Sequence, residues 1–180
     1  LATSGTVVIR DGARQVALWR MIAVPDRVPE IALEGMVERT PRGEMRLSFK
    51  ASDDYGVETA GATITLDLNR VKRRHGLAVE PENHAAVSLD LPMPMGGDRT
   101  EFTETLVEDL ARHPGAGLPV SIELTATDAA GQTGTNVIEG ETMAERRFFE
   151  PLAAAIVEQR RDLLWSRKNA PRVRQVLRAV

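Results

Sequence analysis

The sequence predicts a mainly β protein, an immunoglobulin-like antiparallel β-sandwich followed by C-terminal α-helices. Between residues 30 and 142, short segments alternate apolar and polar side chains with the period of a half-buried strand. Clusters of Gly, Pro, Asp and Asn separate these segments, as is typical of turns. After Phe148 the apolar residues recur at a helical spacing instead.

Residues 1–24 are predicted to be a β-hairpin left over from a preceding β domain. An apolar, β-branched segment at 6–10 is followed by Asp11-Gly12, a strong two-residue turn signal, and by an alternating segment at 14–23. Two prolines then delimit residues 25–29. Proline fixes its own backbone and restricts the residue before it, so this segment is predicted to be a stiff linker.

Residues 30–142 are predicted to form the sandwich, with about seven strands, the strand number of an immunoglobulin-like domain. A helical turn is also expected at 107–113, and an exposed basic loop at 69–83. The Cys–Trp–Cys core of antibody domains is absent, so only the sandwich architecture is predicted. The expected strands are 30–34, 44–51, 57–68, 85–91, 100–106, 118–128 and 135–141.

Residues 143–180 are predicted to be a helical segment that is truncated at its end. Pro151 suits a first helical turn, and Asn169 is expected to be the N-cap of a second helix. We expect the apolar face of this segment to pack on the sandwich, on a second copy of the chain or on residues beyond it. A protein partner or self-association through these helices is therefore expected, with the following contact residues: Leu152, Ile156, Leu163, Val173, Val176 and Leu177.

The charge distribution separates the two regions. Residues 143–180 carry nine basic and four acidic side chains, whereas the whole chain has a net charge of −3. A basic helix can contact nucleic acid or anionic lipid. Scattered Arg without interleaved aromatic residues favours a solvated helix face instead, so no nucleic-acid partner is expected.

The composition excludes several classes of protein. The chain has no Cys, which excludes a disulfide scaffold and a Cys nucleophile, and no apolar run is long enough to span a membrane. It begins at Leu1 and ends at Val180 inside a helical pattern, so we expect an excised piece of a longer polypeptide.

Residues suited to catalysis are few. His75, His84 and His113 lie in or beside separate predicted loops and lack the spacing of a zinc site. Neither a Gly-x-Ser-x-Gly elbow nor a phosphate-binding loop is present. We therefore expect neither an enzymatic activity nor a cofactor.

Three aspartates form the main candidate site. Asp53 and Asp54 follow one predicted strand and Asp128 follows another, and Asp26 of the linker could join them. Calcium prefers several carboxylate and carbonyl oxygens that converge on a loop. Asp near Gly is more often simply a turn residue, and this interpretation is favoured for the three.

A ligand-binding module for calcium or an envelope glycan is the alternative function. Glycan sites usually present exposed aromatic side chains. The chain has a single Tyr, Tyr55, and two Trp, Trp19 and Trp165. A glycan-binding surface is therefore the weaker form of this alternative.

A set of short motifs in a fixed order resembles an uncharacterised family of large alphaproteobacterial inner-membrane proteins that is catalogued as a domain of unknown function. The resemblance extends from Trp19 to the C-terminal helices. The motifs after Trp19 are VPDRVP at 24–29, DDYGV at 53–57, DLARHP at 109–114, AGLPV at 116–120, ATDAAGQTG at 126–134, ERRF at 145–148 and EQRR at 158–161.

This resemblance implies a location more than an activity. Members are expected to have N-terminal transmembrane helices and a long periplasmic region, which would place this chain on the periplasmic side of the inner membrane, with its membrane anchor outside the fragment. The family supplies no catalytic residues to transfer. The expected function is a non-enzymatic structural or protein-interaction module.

Overall fold

The computed structural model describes residues 3–71, 78, 80–82 and 85–179. Within these residues the chain is mainly β, with antiparallel sheets followed by two helices, as the sequence predicts. No helix of this described part is long and apolar enough to cross a bilayer.

The described residues form ten strands and two α-helices, numbered in chain order. The strands are β1 Gly5–Asp11, β2 Arg14–Met21, β3 Glu30–Leu33, β4 Glu38–Arg39, β5 Glu44–Ser52, β6 Val57–Leu66, β7 Val87–Asp90, β8 Glu101–Asp109, β9 Pro119–Asp128 and β10 Thr133–Thr142. The helices are α1 Pro151–Trp165 and α2 Ala170–Ala179, and short 3-10 turns occupy Leu68–Arg70 and Arg167–Asn169.

Two sheets form the sandwich, and a separate hairpin precedes them. One sheet has the order β10-β9-β6-β7, and in the other β5 pairs with β3, β4 and β8. All of these pairs are antiparallel. Strands β1 and β2 pair only with each other among the described strands.

The hydrophobic core lies between the two sheets. Alternation in β5 and β9 turns one side of each strand inward, as predicted. Phe49 of β5, which is fully buried, meets Phe102 of β8 edge to face, with ring centroids 6.2 Å apart. The inward residues of the two strands are Met45, Leu47, Phe49, Ala51, Val120, Ile122, Leu124 and Ala126, all at most 2% exposed.

Two local predictions are wrong, and one short strand was not predicted. The helical turn expected at 107–113 does not form at its start, because β8 continues to Asp109 in register with Glu44 of β5. The strand expected at 57–68 ends at Leu66, and Leu68 lies exposed in a 3-10 turn. The two-residue strand β4 was not predicted, since it is too short to show alternation. Residues 72–77, 79 and 83 of the predicted basic loop lie outside the described residues.

The helices begin as the sequence predicts and are held by a polar junction. Pro151 is the first residue of α1, and the Glu150 carboxylate caps the helix by accepting hydrogen bonds from the N–H groups of Leu152 and Ala153. Asn169 directly precedes α2, but its side chain bonds to Ala78 and Asp162 and not to the first turn of this helix, so the predicted N-cap contact is replaced by these two. Its Oδ1 accepts from the Ala78 N–H at 2.7 Å, and its Nδ2 donates to the Asp162 carbonyl at 2.8 Å.

Candidate functional site at the linker end of the sandwich

Four aspartates meet at the end of the sandwich where the linker enters. Asp53 follows β5, and Asp128 ends β9 in register with Val57 at the start of β6. We call Asp26, Asp53, Asp54 and Asp128 the aspartate cluster. The sequence therefore identified residues from separate turns that the fold brings to one end.

The linker is bonded to both turns of this cluster. The Arg27 N–H donates to Asp54 Oδ1 at 3.3 Å, and the Arg27 carbonyl accepts from Gln132 Nε2 at 3.4 Å. The Pro29 carbonyl passes directly over Gly134 of β10, where a Cβ would lie 1.7 Å from its oxygen. These contacts fix the end of the linker against the sandwich.

Asp53 organises the turn between β5 and β6. Its Oδ2 accepts from the N–H groups of Tyr55 and Gly56, at 2.9 and 2.8 Å. Gly56 has a φ of 105°, which favours glycine. The two hydrogen bonds of Oδ2 are those expected of a turn residue, which was the favoured interpretation of Asp53. The other oxygen, Oδ1, is buried without a hydrogen-bond partner.

Asp128 has the same division between its two oxygens. Its Oδ1 accepts from the Gln132 N–H at 2.7 Å, which closes the turn between β9 and β10. Its Oδ2 is buried without a hydrogen-bond partner, and the residue as a whole is only 3% exposed. Turn formation accounts for one oxygen of each buried aspartate and leaves the other unexplained.

Asp26 faces the other members of the cluster. Partial desolvation raises the pKa of its carboxyl above the ordinary value, and the negative charges of Asp128, Asp54 and Asp53 add to the rise, while a hydrogen bond from Gln132 opposes it. Asp26 and Asp128 line one open cavity of about 420 Å³, together with Tyr55. Asp26 and Asp128 therefore make this cavity electronegative, and solvent can enter it.

A family model described as a domain of unknown function (DUF4175) matches residues 1–180. The chain belongs to this family. No match is found among curated proteins. The resemblance that the motifs predicted is confirmed as membership of an uncharacterised family, whose description names no activity.

Three of the motifs that carry the family resemblance lie at the linker end. VPDRVP contains the linker, DDYGV is the Asp53 turn, and ATDAAGQTG contains Asp128, Gln132 and Gly134. The joint order of these motifs in the sequence therefore corresponds to one contact surface in three dimensions.

Metal-binding side chains are otherwise sparse. Over residues 3–71, 78, 80–82 and 85–179, no three His, Asp or Glu side chains converge on a position that could hold a metal ion. His113 Nδ1 accepts from the Gly115 N–H at 3.0 Å, which is a turn contact. His75 and His84 lie outside the described residues.

The six predicted contact residues of the helices divide into two groups. Val173 is buried, at 2% exposed, and Val176 is half-buried, so these two pack within the chain. The exposed group is Leu152, Ile156, Leu163 and Leu177, at 36 to 48%. The side of α1 that faces inward carries Gln159, Asp162 and Trp165 instead.

Sequence reasoning missed two features of the molecule. The polar junction of the helices includes Asn169, Glu82 and Arg167, whose N–H donates to Glu82 Oε1 at 2.7 Å. The exposed apolar face of the hairpin is the second. Cross-strand pairing places Val7 opposite Trp19 and Ile9 opposite Ala17, and Trp19 is 51% exposed. Strand alternation at 5–21 was the signal that could have revealed this face.

The aromatic residues relevant to glycan binding are dispersed. Tyr55 is 67% exposed at the linker end, and Trp19 is exposed on the hairpin. Trp165 is buried in α1, at 4% exposed, so it offers no face for stacking on a sugar ring.

Proposed function

We propose that the chain is a non-enzymatic structural module in the extracytoplasmic part of a membrane-anchored bacterial envelope protein, where it holds neighbouring modules at a fixed orientation. The seating of the linker supports this proposal above all. Arg27 bonds to the turns on both sides, and Pro29 lies against the backbone of Gly134. A flexible tether between modules would need none of these contacts.

The Cys-free chain allows a direct test of this fixed orientation. Spin labels attached through Gln15→Cys on the hairpin and Glu139→Cys on β10 would report their distance distribution by pulsed electron paramagnetic resonance. We expect one narrow distribution, and a broader one when Gly134→Ala displaces the linker. A broad distribution in the otherwise unaltered chain would refute the structural role.

A second label pair separates linker motion from fraying of the hairpin. Thr6 and Arg20 are cross-strand partners. Labels at these two positions are close enough to broaden each other's spectrum as long as the hairpin is paired. Broadening within the hairpin together with a wide hairpin-to-sandwich distribution would locate the flexibility in the linker.

Exposed apolar surfaces support an interaction role for the same module. A two-stranded hairpin is marginal in water on its own, and this hairpin exposes Val7, Ile9 and Trp19 on one face. The helices expose Leu152 and Ile156. We infer that neighbouring protein surfaces cover these residues in the full protein.

Self-association through the helices has its own test. Sedimentation velocity of the chain over a wide concentration range would be compared with a Leu152→Ser, Ile156→Ser variant. Ala154→Ser, Arg160→Ser on exposed positions of the same helix is the matched control. Association lost only in the Leu152, Ile156 variant would support this contact, and a monomer at all concentrations would exclude self-association through these residues.

The proposed location rests on the resemblance to inner-membrane proteins with a periplasmic region. A single Glu123→Cys substitution in the full-length protein, at an exposed strand position, would be treated in intact cells with a maleimide that does not cross the inner membrane. Labelling before lysis is the expected result. Labelling only after lysis would place the module in the cytoplasm.

A further inference from the structure

The aspartate cluster contains two buried oxygens that the fold leaves without partners. Asp53 Oδ1 and Asp128 Oδ2 have no hydrogen bond, and their residues are 8 and 3% exposed. A buried carboxylate oxygen without a partner is costly, so such atoms are rare in folded proteins. Of these two residues, Asp128 lines the open cavity at this end of the sandwich, where a cation could reach it.

No described side chain supplies the opposite charge. Over the residues that the structure describes, no Lys or Arg pairs with a member of the aspartate cluster within 4.0 Å; the ion pairs of this part of the chain lie elsewhere. The backbone donors nearby are used by the other oxygens of Asp53 and Asp128. The carboxylates of Asp26 and Asp128 therefore share one cavity, and none of the described Lys or Arg side chains forms an ion pair with either.

The chemistry of the pocket selects among cations. Asp26 and Asp128 line the same open cavity, and neither His nor Cys is among the residues that line it. The other lining residues are Val24, Tyr55, Ala129 and Ala130, so the charged donors are two carboxylates, which favour a hard cation over zinc. Mg²⁺ demands a near-ideal octahedron, whereas Ca²⁺ accepts irregular arrangements of six to eight oxygens that include backbone carbonyls and water.

We propose that the aspartate cluster binds a calcium ion, with Asp128 and Asp26 as its carboxylate ligands and backbone carbonyls and water completing the coordination. Two carboxylates suffice for this arrangement; among the residues that the structure describes, no three acidic side chains converge on one metal position. Asp53 and Asp54 add negative charge around the pocket, as their effect on the pKa of Asp26 indicates. This inference is independent of the proposed structural role.

The ion would join two parts of the chain. Asp26 belongs to the linker and Asp128 to the end of β9, so an ion held by both adds a contact to those of Arg27 and Pro29. Calcium binding would therefore stabilise the native state and restrict the linker.

Calcium titration of the chelator-treated chain tests the proposal. Isothermal calorimetry and thermal unfolding would be recorded with CaCl₂ and, separately, MgCl₂ at about 5 mM, above the roughly 0.1–1 mM dissociation constants of extracellular calcium modules. We expect binding heat and a rise of several degrees in the melting temperature with Ca²⁺, and a smaller rise with Mg²⁺. The absence of heat, or equal responses to both ions, would overturn the proposal.

Three variants assign the response to the site. Asp128→Asn keeps an oxygen acceptor for the Gln132 N–H and removes the charge, and Asp26→Asn changes an exposed residue. Asp109→Asn is the control, since Asp109 is also a turn aspartate but pairs with Glu44, at the opposite end of β5 from Asp53. Both cluster variants should lose the calcium response, and the control should keep it.

The Asp26 variant keeps the test decisive if Asp128→Asn does not fold, which circular dichroism would show. A calcium response that persists in folded Asp26→Asn, or that disappears in Asp109→Asn as well, would overturn the assignment.

Discussion

The Pro29 carbonyl lies against Gly134 so closely that no other residue fits at that position of β10. A Cβ on Gly134 would lie 1.7 Å from the Pro29 oxygen and 2.8 Å from its carbon, far inside any van der Waals contact. Gly134 does not need a left-handed backbone, since its φ is not positive. The absent side chain, rather than backbone freedom, is what the linker requires.

Gly134→Ala should therefore destabilise the chain by about 1–3 kcal/mol, the usual cost of overpacking, because the linker must move away from β10. Urea unfolding followed by circular dichroism measures the change. Gly96→Ala is the control, since no heavy atom lies within 4 Å of its added Cβ and its φ is not positive. Equal effects of the two substitutions would refute the role of the Pro29 contact.

Asp53 should matter for stability through its hydrogen bonds more than through its charge. Asp53→Ala removes the acceptor for the Tyr55 and Gly56 N–H groups, and the expected loss is about 1–3 kcal/mol. Asp53→Asn keeps an oxygen acceptor and should lose less. The free energy of unfolding would be measured in a chelator, with Asp90→Ala on exposed β7 as a control expected to stay within about 0.5 kcal/mol.

The outcome for Asp53→Asn distinguishes two roles of this residue. An Asn variant as unstable as the Ala variant would show that the negative charge, and not the acceptor, stabilises the turn.

The sequence predicted the sandwich because each of its strands has one solvent-exposed face and one buried face. Met45, Leu47 and Phe49 alternate with polar residues, and this period survives whatever the strands pair with. The same reasoning ended β8 too early, since Val107 and Asp109 continue the strand through pairing with β5, which is a non-local contact. Local pattern cannot report that pairing.

The sequence predicted which aspartates form the candidate site but not the contacts that they make. Turn chemistry at Asp53 and Asp128 is local, so the sequence shows it. The two unpartnered oxygens and the contact of Pro29 with Gly134 arise only when residues distant in sequence meet. The helix face was predicted from apolar spacing, and the actual buried face carries polar residues such as Gln159 and Asp162, which hydrophobic periodicity does not mark.

Asn169 should hold the two helices and Ala78 together. Asn169→Ala removes both side-chain hydrogen bonds of a residue that is 2% exposed and leaves the Ala78 N–H and the Asp162 carbonyl without these partners. The expected loss is about 2–3 kcal/mol. It would be measured by hydrogen exchange of the α2 amides, with exposed Asn69→Ala as the control. Unchanged protection of α2 would refute this role.

The raised pKa of Asp26 predicts a stability that depends on pH with a definite sign. Because partial desolvation and the charges of Asp128, Asp54 and Asp53 raise this pKa, the folded state binds the proton more tightly than the unfolded state does. The ionised carboxylate therefore destabilises the calcium-free protein. This destabilisation grows as the pH rises from the ordinary aspartate pKa of about 3.9 through the raised value.

Asp26→Asn should consequently raise the melting temperature in a chelator at pH 7 and have little effect near pH 3.

Asp98 is a control for which the opposite change in melting temperature is expected. Hydrogen bonds from the Thr100 backbone and hydroxyl lower its pKa, so its stabilisation is present at neutral pH and is lost as the pH falls through the lowered pKa. Asp98→Asn should thus lower the melting temperature at pH 7 and converge with the unaltered chain in acid. Thermal unfolding of the three proteins between pH 3 and 7.5 tests both signs, and a destabilising Asp26→Asn at pH 7 would contradict the repulsion within the aspartate cluster.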